Sequence, residues 1–171
     1  MRLDANITKL IENLKAVGHK VPDVPCVYQL EEPTFGAGTS EEDITVLKSM
    51  IKVLLPEDFL LFQKVCGSIS AMDVWNGYAL LPISQITKLI TDPISSRLIQ
   101  VRNGKPTTIP IGGDGGGDMF LMLLDGSGQV VKWNHEVNAH ERIADNFTNF
   151  LERILQDWEH FIAQDNDWKY L

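Results

Sequence analysis

Five glycines and two aspartates share the seven positions from Gly112 to Asp118, Gly-Gly-Asp-Gly-Gly-Gly-Asp. Amides unscreened by side chains can cradle phosphate, and paired carboxylates can hold a cation. A phosphate loop, however, needs Lys-Ser or Lys-Thr after its last glycine, or a helix opening on Gly-x-Gly-x-x-Gly. Here the apolar run Met119–Leu124 follows, which reads as a strand buried on both faces. The pattern therefore predicts a tight turn between two strands. Glycine supplies its unusual backbone angles, and Asp114 and Asp118 accept hydrogen bonds from backbone amides. A ligand loop is the alternative reading of the same residues.

Three further segments imitate chemical motifs. Asp125 to Glu136 begins with Asp and carries Glu at its twelfth position, as a calcium loop does. The sixth position, where a glycine must make the bend, is Val130, and strands rather than helices flank it. His135-Glu136-Val137-Asn138-Ala139-His140 approaches the zinc motif His-Glu-x-x-His. Its histidines are five apart, about 140° from each other around a helix, so one face cannot present both. Gly67-Ser68-Ile69-Ser70 lacks the second glycine of a nucleophile elbow. The spacing yields no catalytic residue and no metal set. The expectation is a protein that is not an enzyme and needs neither metal nor cofactor, with His135 and Glu136 shaping a strand end or a surface.

The elements that must position these residues are legible from periodicity. Leu3, Ile7, Leu10, Ile11, Leu14 and Val17 fall at helical spacing before Gly18. A proline-containing connection, His19 to Gly38, follows, long enough to be either a packed extended arm or a mobile one. Thr39 and Glu42 form a capping box for a helix to about Val53, with Ile44, Leu47, Ile51, Leu54 and Leu55 on one face. Pro56 opens another helix that buries Phe59, Phe62 and Val65 or Cys66 and stops at Gly67. Asn76-Gly77 predicts a type I′ hairpin within Val74–Ala79. A short helix lies around Ser84–Ile90, and Leu98–Arg102 with Thr107–Ile111 reads as a second hairpin. Strands Met119–Leu124 and Gln129–Asn134 complete the sheet. A last helix, capped by Asp145, keeps Phe147, Phe150, Leu151, Ile154, Leu155, Trp158, Phe161 and Ile162 on one broad face. Trp75, Tyr78, Trp133 and Trp158 sit in these patterns and are expected mostly in the core. Helices, then strands, then a helix predict an α+β domain.

Bulk properties agree with one domain over residues 1–171. The chain is 44% hydrophobic and 22% charged, as globular proteins are. No apolar run reaches membrane-spanning length, and Met1–Glu12 does not read as a secretory signal. Cys26 and Cys66 are expected as free thiols, so the reading is a cytoplasmic protein. Net charge is −8, and residues 113–171 alone hold 11 acidic and 4 basic residues, a net of −7. That argues against the lysine and arginine footprint phosphate binding needs, so nucleic acid is not an expected partner. An acidic surface serves solubility or recognises a basic protein.

Four segments, in order, resemble the SUKH superfamily, the cell-wall assembly regulator family. They are Leu55-Pro56-Glu57-Asp58-Phe59 with Cys66-Gly67, Ile109-Pro110-Ile111-Gly112 through Gly117-Asp118, Val131-Lys132-Trp133-Asn134-His135-Glu136, and Ile143-Ala144-Asp145-Asn146-Phe147 through Phe150-Leu151. Asn146 stands where the family usually has Ser. The resemblance implies a SUKH-like α+β core over residues 41–164. In it, a central, mostly antiparallel sheet is packed by N-terminal helices and a long C-terminal helix, with residues 1–40 forming a helix and an arm outside the recognised motifs. It also implies a protein-binding module, often an immunity protein that neutralises a cognate polymorphic toxin such as a nuclease. On that reading the partner is a basic toxin domain. The partner-binding candidates are Asp114, Asp118, Glu136 and, as an aromatic anchor, Trp133. The alternatives are a regulatory scaffold of the cell-wall assembly type, or a small-ligand-binding or catalytic domain using the Gly112–Asp118 turn with His135 and Glu136.

Overall fold

The computed structural model describes residues 2–92, 101–102 and 105–171. Helical spacing of apolar residues produces α1 (Arg2–Gly18), whose Ile7, Ile11 and Leu14 are fully buried. The proline-containing connection is packed at its two ends, while residues 25–29 between them are exposed. A 3-10 turn at Val21–Asp23 buries Val21, Leu30 is buried, and β1 (Thr34–Phe35) joins the sheet. Helix α2 (Glu41–Ile51) starts one residue later than the capping box predicts. Ser40, not Thr39, accepts the Asp43 amide, because the Thr39 hydroxyl is bound to Gln63. The helix stops when Lys52 turns left-handed, so Leu54 leaves the apolar face and is 90% exposed. Helix α3 (Glu57–Val65) buries Phe59 and Phe62, and Cys66 rather than Val65 completes its inner face.

Strands β2 (Ile69–Ala71) and β3 (Tyr78–Leu80) form an antiparallel pair across a six-residue loop, Met72–Gly77. The predicted two-residue turn at Asn76-Gly77 is displaced, because Val74 is buried and its carbonyl accepts the Gly77 amide. Helix α4 (Ile83–Thr91) follows. The predicted second hairpin is differently paired. β4 (Val101–Arg102) pairs with β5 (Lys105–Pro106), while β6 (Thr108–Gly113) belongs to the large sheet; residues 98–100 and 103–104 lie outside the described residues. β7 (Met119–Leu123), β8 (Val130–Asn134) and β9 (Ala139–Ala144) complete the described sheet. Its order is β1-β2-β3-β6-β7-β8-β9, and every neighbouring pair is antiparallel. Strand β9 is absent from the sequence reading because Ala139–Arg142 are exposed at a sheet edge and carry no apolar alternation.

Helix α5 (Phe147–Ile162) lies over this sheet and against α1 and α3. Phe147 packs edge-on against Phe59 at 5.2 Å, and Phe150 meets Phe120 of β7 at 5.1 Å. Its cap is Asn146, not Asp145; the Asn146 side chain accepts the Asn149 amide. The result is an α+β domain with N- and C-terminal helices on a seven-stranded antiparallel sheet of described residues. No described helix is long and apolar enough to cross a membrane.

Candidate functional site

The glycine-rich segment is the turn from β6 to β7. A Cβ at Gly112 would clash with the Ala79 carbonyl oxygen, and Gly117 has φ +99°, so both positions require glycine. Asp114 closes the turn from inside. Its Oδ1 accepts the amides of Gly116 at 3.0 Å and Asp118 at 2.9 Å. Its Oδ2 lies 2.9 Å from the ammonium of Lys132, and the Asp114 side chain is only 4% exposed.

Lys132 reaches this position because β8 pairs antiparallel with β7, with Lys132 opposite Phe120. Cross-strand partners share a face, so the lysine emerges on the helix side of the sheet, just beyond the core. Its Nζ also lies 3.3 Å from Asp118 Oδ2. Asp118, 12% exposed, uses its other oxygen for the His135 amide at 3.1 Å and the His135 Nδ1 at 2.8 Å. Partial burial alone would raise the Asp118 pKa. Hydrogen bonds from His135 and Lys132 outweigh it and hold the carboxyl below the ordinary aspartate range. Burial likewise disfavours the Lys132 ammonium, but Asp114 and Asp118 outweigh it and push that pKa up.

Asp114 and Asp118 are thus brought together, but around an internal lysine rather than at the surface. Trp133, the neighbour of Lys132 on the strand, projects to the opposite sheet face, and its indole N–H donates to Asn138 Oδ1 at 2.8 Å. Glu136 is exposed on the β8–β9 turn, which Asn134 builds by accepting the amides of Glu136 and Val137. The near-zinc histidines fall on different structures, His135 on Asp118 and His140 on β9 opposite Trp133. Asp125 accepts the Ser127 amide in its own turn, at the other end of β8 from Glu136. Among the described residues no group of three or more His, Cys, Asp or Glu is placed to hold a metal. Cys66 is a free thiol whose pKa burial raises, and its Sγ donates to the Ser68 carbonyl.

Sequence reasoning missed Lys132 and two buried carboxylates. Asp58 of α3 accepts the amide and hydroxyl of Thr148 at 2.8 and 3.0 Å and so caps α5 from another element. Asp157, fully buried on α5, accepts from the Tyr78 hydroxyl, Arg153, the Trp168 indole and the Leu171 amide. It thereby ties residues 168–171 back onto the helix. The available signal was an acid three residues after Ile154, on the apolar face. Between this tail, Arg153 of α5, β9 and the Asp118–Lys132 pair lies a groove of about 470 Å³. Lys132, Arg142, Arg153 and Lys169, the four cations of residues 113–171, all line it.

Residues 38–153 match the model of the SMI1/KNR4 family (SUKH-1). The match spans more than half of the chain, and the chain belongs to that family. No curated protein matches the chain.

Proposed function

We propose that this member of the SMI1/KNR4 family is a non-enzymatic protein-binding module of the immunity type, acting in the cytoplasm by binding and neutralising a cognate, basic toxin domain. The observation that carries this reading is the division of labour among its carboxylates. Asp114 and Asp118 are engaged inside the fold, while Glu136, Glu152 and Glu159 are exposed on the sheet end and α5, as are Asp145 beside Arg142 and Glu141 beside Lys169. A rigid scaffold whose buried carboxylates are satisfied, displaying surplus negative charge, suits recognition of a basic surface better than bond-making. If the toxin is a nuclease, the display resembles the phosphates of its substrate. Glu136 and Trp133 are the direct contacts in this reading. Asp114 and Asp118 hold the turn that presents them.

Co-expression with the toxin domain of a neighbouring gene tests the proposal. Restored growth together with a co-purifying complex supports it; continued toxicity with no complex removes it.

A further inference from the structure

Three irregular segments meet on the face bearing Trp75: the arm at Val24–Leu30, the loop Met72–Gly77, and the tail after α5. They enclose an apolar cleft of about 160 Å³, lined by Val24, Pro25, Leu30, Trp75, Phe161 and Tyr170 among others. Direct bonds hold the three together. The Gln164 side-chain amide donates to the Pro25 carbonyl at 3.2 Å, and the Glu31 amide donates to Asp73 at 2.6 Å. Trp75 stacks on Tyr170 with ring centroids 4.3 Å apart and planes within 10°. One indole face is thereby covered, yet Trp75 remains 57% exposed, so the other face is open to water. Val27 and Tyr28 of the arm are also exposed.

The backbone here is unusual. Trp75 and Gln164 both have φ +53°, a left-handed conformation that is disfavoured for a bulky residue. Strain of this kind persists where the surrounding structure imposes it, and it clusters at functional sites. The charge is one-sided. Residues 21–32, 72–77 and 164–171 carry six carboxylates (Asp23, Glu31, Glu32, Asp73, Asp165, Asp167) and one lysine, Lys169. That lysine lies 3.7 Å from Glu141 on the other groove.

We infer that this cleft docks a protein segment through an arginine stacked on the open face of Trp75, with an adjacent aliphatic side chain filling the apolar cavity. An indole face attracts a guanidinium through its quadrupole. The acidic segments flanking the cleft favour a cation there at longer range, although Glu32 and Asp165 already pair with His19 and His160, and the cavity has room for one aliphatic group. The site rests on the protein-binding role proposed above and adds the chemistry of the partner's anchoring side chains.

The test is an NMR titration of the full-length chain with a doubly capped arginine–leucine dipeptide. Glutamate–leucine and norleucine–leucine dipeptides serve as controls. The arginine peptide should shift the Trp75 indole resonance and the amides of residues 24–30, 72–77 and 164–170. It should bind about two- to fivefold more tightly than the norleucine peptide, the range of an exposed cation–π contact. The glutamate peptide should leave these signals in place. Trp75→Asn keeps a residue type that tolerates the left-handed backbone; it should abolish the response. Asp167→Lys, at an exposed position, should weaken it in a chain that stays folded. Equal responses to arginine and glutamate, or an undiminished response in both variants, overturns the inference. Full toxin protection by Trp75→Asn with no titration response rejects the cleft alone. An intact titration without protection in co-expression rejects the immunity reading alone.

Discussion

Phe150 and Asp114 are both almost wholly enclosed, and they hold the fold by different means. Phe150 sits beneath α5 among Phe120 and Phe147, in contacts that have little direction and scale with area. Asp114 sits at the sheet end, where each oxygen has assigned donors and Lys132 supplies the charge. The first region tolerates exchange of one apolar shape for another of similar volume. In the second, removing any member strands the others in a poorly solvated place. The helix–sheet interface supplies the stability, and the turn fixes the geometry of the surface.

Phe150→Ala should have the largest effect, a loss of about 3–5 kcal/mol in denaturant unfolding, as for other buried aromatics. A loss under about 1 kcal/mol would place the ring outside the core and break the contrast. Lys132→Met should cost about 2–3 kcal/mol, less than the 3–5 of a fully buried pair, because the lysine keeps 16% exposure. This second loss should depend on pH. The Asp118 carboxyl is held below its ordinary value of 3.8 in the folded protein. Its contribution is therefore present above that pH and disappears as pH falls through the folded-state value. The gap between wild type and Lys132→Met should be widest near neutrality and close in acid; a gap unchanged down to low pH would mean that the lysine acts through its aliphatic stem. Asn146→Ala, which removes the cap of α5, should cost about 1 kcal/mol. Glu136→Lys should change stability by less than about 0.5 kcal/mol while slowing association with a basic partner. Stopped-flow rates at two salt concentrations would expose the screening expected of a surface charge.

Legibility follows the same division. Apolar repeats of three to four residues fixed α1, α3 and α5, and the unbroken run Met119–Leu124 marked the central strand β7, because burial writes itself into residue type. Caps slipped by one residue at Ser40 and Asn146, since Thr39 and Asp145 offer equally competent oxygens and tertiary bonding decides between them. The edge strand β9 has no apolar face for sequence to report. At the candidate site, the turn and its two aspartates were readable from glycine content. Their common cation was not, because Lys132 meets Asp114 only through the β7–β8 register. The pattern around Trp75 predicts a core position, because its strand-like neighbourhood hides a left-handed backbone that only the folded loop imposes.

The Asp58 cap on α5 joins residues ninety positions apart. The amide of Thr148 lies in the first turn of its helix, where no carbonyl of that helix can reach it, and such amides ordinarily trade their hydrogen with solvent quickly. Here its acceptor belongs to α3, so the proton is protected only while the two helices are docked. Thr148 is therefore a built-in reporter of docking. Its hydrogen–deuterium exchange should follow the slow, global opening of the domain rather than fraying of the helix end, and Asp58→Ala, which removes the acceptor, should convert it to a fast-exchanging site.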